Sequence, residues 1–322
     1  MDNCRILKPV RPLFIAFIII FSCFAPVYGF DILMGTSPSG TLSHFTGRMV
    51  ERIINRAVPG IQLRVLAGAG DMHNLTNLSQ GSLDMALIDS RMLHDAVNKT
   101  GNFEFLDVDY SHLTILTRLY DVPILLIAGK GTRIRLLDDI REKRVNAGYP
   151  LSPASLAFET ILKAKHWNRS DFSLVYEISD SHSQDTMAFC HGNIDAMLHI
   201  GAHPDPSLEQ LFRLCNASAV DMDDKYIHGL VRDHPAFFRL TIPAGIYPGQ
   251  DKEVYTFGTQ TLLVASPDLD AQTVTAILET LYRYRRRLSA SHPALYLKKT
   301  GRKEITDLGL KLHPGALDFF TD

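Results

Sequence analysis

The sequence predicts an α/β fold built as two lobes joined by a double-strand hinge, with a ligand cleft between them. Three observations carry that expectation. The chain has 322 residues, 46% hydrophobic and 21% charged, more than one compact core usually organises, so two lobes are the default. Strand-like and helix-like stretches alternate with short loops, the pattern of mostly parallel sheets covered by helices. From His112 to Ala128 a nearly unbroken apolar run interrupts the alternation, and a fresh α/β series begins after it.

In order, Asp31–Gly35 reads as a strand leading into a helix near Thr41–Ala57, whose apolar positions Leu42, Phe45, Met49, Val50, Ile53 and Ile54 follow helical spacing. Pro59-Gly60 breaks it, and Ile61–Leu66 is the next strand. "AGAGDM" then opens a helix carrying Met72, Leu75 and Leu78, followed by a strand at Leu83–Ile88 and a helix to about Lys99. The run His112–Ala128 is long for one strand and contains Pro123, so it reads as two strands meeting at a crossing point. The second series has a helix near Leu136–Glu142, a strand Arg144–Ala147, the loop "GYPLSPAS" and a helix to His166. Strands at Phe172–Tyr176 and Ile194–His199 and helices near Ser183–His191 and Ser207–Leu214 complete it. After "IPAGIYPGQ" (Ile242–Gln250) come a strand Glu253–Ala265 and two helices from Asp270 onward. The expected division is a leader at 1–29, a first lobe at 30–118, a second at 119–240, and a return to the first lobe with C-terminal helices at 241–322.

The N-terminus reads as a secretory signal. Arg5, Lys8 and Arg11 precede the apolar run Leu13–Phe21, and Val27 and Gly29 suit cleavage before Phe30. Lipid attachment at Cys23 and an uncleaved anchor stay open as alternatives, and all three place the chain outside the cytoplasm, in a periplasm. Without the leader only Cys190 and Cys215 remain, as a disulfide or as two buried thiols. The net charge of −2 argues against a nucleic-acid partner. Arg283, Arg285, Arg286 and Arg287 are the one basic cluster, expected late in a helix where cations suit the negative end of its dipole.

In open α/β sheets, ligands bind beyond the carboxyl ends of strands. Four loops take that position here: Thr36–Thr41 and Gly68–Asp71 from one lobe, Tyr149–Ser155 and Gly201–Asp205 from the other. Together they outline an inter-lobe cleft. The first loop, "GTSPSG", fits neither a Walker motif nor a dinucleotide fingerprint, and alone it could simply turn the chain. The second glycine loop one unit later favours a ligand. His199 and His203 flank Gly201 in a loop with no third ligand suitably spaced, so no metal is expected. No G-x-S-x-G elbow exists, and Cys190 beside His191 does not build a dyad. Neither catalytic residues nor a cofactor are expected.

"GTSPSG", "AGAGDMHNL" with "GSLDMALIDS", "LTRLYDVP", "RVNAGYPLSPAS", "NIDAMLHIGAHPDPSL" and "IPAGIYPGQ" followed by "TFGTQTLLVAS" resemble, in order and spacing, the TAXI-type solute receptors of TRAP transporters. The resemblance extends from about Ile32 to Pro293. It implies a periplasmic-binding-protein (Venus flytrap) fold that closes on a small solute, an amino acid or small carboxylate, and delivers it to a membrane permease driven by an ion gradient. A sensory module presenting its ligand to a membrane receptor is the alternative. The chain departs from such receptors at Thr41, Ser43 and His44 after the first loop, at Leu151–Ser155, at Asp89 in place of a usual Gln, and at Arg91. Losing the usual arginine at Ser155 removes a bidentate carboxylate partner unless Arg91 or Arg118 substitutes, so the expected ligand is altered yet still small and polar. Candidate cleft residues are Thr36, Ser37, Ser39, Gly40, Thr41, His44, Gly70, Asp71, Asp89, Arg91, Tyr120, Ser152, Ser155, His203 and Gln250. His44 is either a pH-sensitive ligand donor or part of its helix's solvated side.

Overall fold

A computed structural model describes residues 30–177, 182–297 and 308–320; the expected leader lies outside them. The first lobe opens with parallel strands β1 (Phe30–Thr36), β2 (Ile61–Ala67) and β3 (Met85–Asp89), alternating with helices α1 (Leu42–Ala57), α2 (Asp71–Ser79) and α3 (Ser90–Asn98). A long strand, β4 (Thr114–Ala128), leads out of it. The second lobe has β5 (Arg144–Asn146), β6 (Leu174–Tyr176) and β7 (Ala196–Ile200), parallel to one another. Helices α4 (Pro153–Lys165), α5 (His182–Cys190) and α6 (Pro206–Cys215) connect and follow them. Then come β8 (Ser218–Val220), α7 (Lys225–Asp233) and β9 (Phe238–Ile242). A second long strand, β10 (Val254–Ala265), returns to α8 (Ala271–Arg283), α9 (Arg285–Ser291) and α10 (Pro314–Phe319). The sheet order is β2-β1-β3-β10-β4-β7-β5-β6, with β8 on β4 and β9 on β10.

The expected crossing of two strands at Pro123 is instead one continuous strand. Pro123 lies where β4 changes partner, from β10 (Gly258↔Pro123) to β7 (Ile124↔Ile200). A residue without an N–H is tolerated there because the ladder is being handed over. Beyond it, Ile124, Leu126 and Ala128 enter one hydrophobic cluster while Leu125 and Ile127 enter another. Burial on both faces explains why the run is apolar throughout. Before the handover, Ile115, Leu116 and Leu119 belong to the first-lobe core. β10 mirrors this, with Val254 and Phe257 in second-lobe clusters and Leu262–Ala265 in the first. The two antiparallel strands are therefore the hinge. Gly258 marks the crossing, because a Cβ there would fall on Val122 O and 2.8 Å from Pro123 Cα. Ile242 and Tyr247 pack in the second lobe, so the chain recrosses near Gly258, later than the boundary at 241 drawn from sequence.

Other departures are local. Leu136–Glu142 holds only a 3-10 turn at Leu137–Ile140, opened by Asp139, whose carboxylate accepts the Arg135 and Leu136 N–H groups. Phe45 points to solvent, because α1 buries Thr46 and Gly47 in its place; Gly47 lies directly over Thr36 and Val65. β8, α7 and β9 had no counterpart in the sequence reading. Among the arginines only Arg283 ends a helix. Tyr284 breaks the run, and Arg285–Arg287 open α9, where the dipole disfavours cations. Arg285 partly compensates by donating to the Tyr282 carbonyl at 2.9 Å.

Two further features brace the second lobe. Lys165, its side chain 3% exposed, bridges Asp138 at 2.6 Å and Asp224, and its ammonium stands 5.0 Å over the Trp167 ring and 4.7 Å over Tyr226. Cys190 and Cys215 form a disulfide between the ends of α5 and α6, worth about 3 kcal/mol for a loop of this length. No helix among the described residues is long and apolar enough to cross a membrane.

Candidate functional site

The first loop spends its polar groups on its own folding. Thr36 is fully buried at the end of β1; its hydroxyl is 3.1 Å from the Leu66 carbonyl and 2.9 Å from His44 Nδ1. The Ser37 N–H donates to Ser43 Oγ. Thr41 caps α1, accepting the His44 N–H at 3.2 Å while its own hydroxyl donates to Pro38 O. Pro38, Ser39, Gly40 and Thr41 face outward, beside the positive end of α1. His44 is thus tied back to the strand, a third reading beyond ligand donor or solvated side chain.

The second loop builds something different. Gly70, at φ 120°, a backbone conformation suited to glycine, starts α2 with open space where a Cβ would be. Asp71 follows, and its Oδ2 accepts the Asp89 N–H at 2.9 Å. Asp89 caps α3 by accepting the Arg91 N–H at 2.9 Å, and its other oxygen takes the Thr259 hydroxyl of the hinge. Thr261 pairs with Asp89 on one side and Tyr120 on the other, so Asp89, Thr261 and Tyr120 form a row across three strands. Burial, reinforced by the charge of Asp89, pushes the Asp71 carboxyl up to about 7. Burial also raises Asp89, against the hydrogen bond from Thr259. Tyr120 is pushed up to about 12 by burial and by the two carboxylates. Two acids and a phenol thus lie together beside the hinge strands. Among the described residues no cation acts on Asp71.

The arginines proposed as substitutes are committed elsewhere. Arg91 reaches from α3 into the second lobe, donating from Nη1 to Thr160 Oγ1 at 3.0 Å and to Leu156 O at 3.5 Å. Its Nε lies 3.5 Å from Asp95, and its guanidinium stands 5.5 Å over the Phe237 ring. Arg118 donates to Gln260 Oε1 at 3.1 Å, and Gln260 passes the chain on to Asp121 at 2.7 Å.

On the second-lobe side, Ser152 and Ser155 are buried because Ser152 caps α4 through the Ser155 N–H at 3.1 Å. Gln250 is also buried; its amide donates to the carbonyls of Ile242, Pro243 and Lys252, pinning its own loop. His203 Nδ1 lies 2.5 Å from Tyr247 Oη, which accepts the Asp205 N–H at 2.9 Å. Burial and the neighbouring His199 hold His203 down at about 4. Asp205 stays well below the usual carboxylate range because hydrogen bonds from His199 and Ser207 outweigh its burial.

The structure therefore brings Asp71, Asp89 and Tyr120 together beside Gly70, and lets Arg91 bridge the lobes. Thr36, Thr41 and His44 form a separate network, as do Ser152 with Ser155 and His203 with Tyr247. Gln250 joins the last of these through its backbone, its N–H donating to the Tyr247 carbonyl at 3.1 Å. Thr259 and Thr261 are not among the sequence candidates, although hydroxyls at alternate positions of a long strand are a readable signal.

Two solved structures share this architecture. One is a putative sulfonate ABC transporter periplasmic sulfonate-binding protein, SsuA, from Methylobacillus flagellatus KT, at 10% identity and TM-score 0.52 over 84% of this chain and 74% of that one. The other comes from work on glutathione import via GshT and the cystine ABC importer TcyBC of Streptococcus mutans, at 11% identity and TM-score 0.50 over 85% of this chain and all of that one. At such identities they establish the two-lobed fold alone. The sequence match is of another order: from Met34 through both lobes to Asp322 the chain fits one family, and it belongs to the NMT1-like family.

Proposed function

We propose that the protein is an extracytoplasmic receptor that closes on a small solute carrying a cationic group, most simply an amino-acid-like zwitterion, and delivers it to a membrane permease. The observation that carries this reading is the Asp71–Asp89 pair over the hinge, with Asp71 raised to about 7 and, among the described residues, no cation against it. A bound ammonium would let both carboxylates ionise, supplying the charge partner that buried acids need. The outward N-terminal turn of α1 suits a carboxylate at the solute's other end. Arg91 and Arg118 have protein partners, so a solute that is only a dicarboxylate has little to hold it.

Thermal shift tests this directly. Amino acids and their decarboxylated amines are expected to stabilise the protein, and dicarboxylates without an amino group are not. Stabilisation by the latter above all amines contradicts the reading. Glutamate or glutamine as the best of all solutes contradicts the expectation of an altered ligand. Delivery to a TRAP-type permease rests on the ordered motifs from "GTSPSG" to "TFGTQTLLVAS". Receptor-dependent uptake should then collapse with the ion gradient; uptake that persists on ATP alone contradicts it.

A further inference from the structure

We propose that His94, Asp95 and His234 form a site for a divalent transition-metal cation, with Zn2+ as the probe, that ties the two lobes together away from the solute floor. His94 and Asp95 are consecutive on α3, whose Leu93 and Ala96 lie in the first-lobe core. His234 ends α7, whose Ile227 lies in a second-lobe cluster. One ligand atom from each residue lies within 4.8 Å of the other two. His94 Nδ1 is 3.7 Å from Asp95 Oδ1, and the two imidazole rings are 4.7 Å apart. A second observation points the same way: His94 Nδ1 is buried and has no partner within hydrogen-bond distance, its contact with Asp95 Oδ1 being 3.7 Å. Such a nitrogen is costly to leave unpaired, and a metal ion would use it.

Two imidazole nitrogens and one carboxylate oxygen are a zinc donor set with room for a water. Zinc bonds of about 2.0–2.2 Å place tetrahedral ligand atoms about 3.3 Å apart, so atoms that now lie within 4.8 Å of one another must draw closer to bind. The carboxylate is already oriented, with Oδ1 accepting the Thr100 hydroxyl at 3.0 Å and Oδ2 facing Arg91 Nε at 3.5 Å. Against binding stand the Arg91 charge and the long 3.4 Å hydrogen bond from the Ala236 N–H to His234 Nδ1, which coordination gives up.

The test titrates metal-free full-length protein with zinc chloride by calorimetry and reads Tm in parallel. One zinc per chain is expected, with affinity falling about tenfold or more in both His94→Ala and His234→Ala. The zinc-dependent rise in Tm should vanish in both. Circular dichroism confirms that each variant is folded, and His234→Gln replaces an alanine variant that is not. No zinc bound at micromolar concentrations, or a double variant that binds as wild type, overturns the site. Full binding by the His234 variant alone overturns the link between lobes.

Discussion

Asp71 is the residue on which the account turns. Its carboxyl is raised by burial and by Asp89 to about 7, so between about pH 4 and 7 the folded chain holds a proton that the unfolded chain has released. The sign follows: without solute, stability falls as pH rises through that window and levels off above it. Asp71→Asn keeps an acceptor for the Asp89 N–H but does not titrate. Urea midpoints measured from pH 4 to 8 should show a flatter profile for the variant and a relative gain for it near pH 8. A variant profile parallel to wild type would place the strain elsewhere. His203 shows the opposite arrangement, held neutral by burial beside Tyr247, which marks it as part of the lobe's packing.

At the scale of elements, β4 and β10 carry the architecture because they alternate between two cores. Their apolar character was plain in the sequence, yet the handover at Pro123 was not, since a proline within a long run ordinarily argues for a break. Gly258 is the other half of that crossing. Gly258→Ala would push a Cβ into the Val122 carbonyl and Pro123 Cα, and backbone cannot yield as a side-chain tip can. A loss of about 1–3 kcal/mol in urea unfolding is expected; a neutral substitution would show that the hinge strands separate more freely than their register implies. The helices were legible where a cap and a stripe coincided, as at Thr41 for α1 and Ser152 for α4. They were illegible where neither was long enough. β8 has three residues, and α7 has nine with Gly229 at its centre. At Leu136–Glu142 the turn that Asp139 opens ends at once, where Arg141 is extended and Glu142 takes φ 60°.

For the whole molecule, sequence order showed the strand–helix boundaries but not the chemistry of the loops at them. Loop ends at Thr36, Gly68, Tyr149 and Gly201 were readable from strand–helix boundaries. Which of their polar residues remain available was not, because that depends on partners distant in sequence: Thr259 for Asp89, Thr160 for Arg91 and Tyr247 for His203. The same limit hid His234 from His94. What the assembled molecule adds is the Asp71–Asp89 pair beside a hinge already bridged by Arg91, and the proposed solute's positive group would complete its charge. Mass spectrometry of the solute released on denaturing gently purified protein tests this most directly. The account predicts a small amine-bearing solute, held by wild type and absent from an Asp71→Asn, Asp89→Asn double variant shown by circular dichroism to be folded. A solute lacking any cationic group, or an amine retained equally by the double variant, would contradict it.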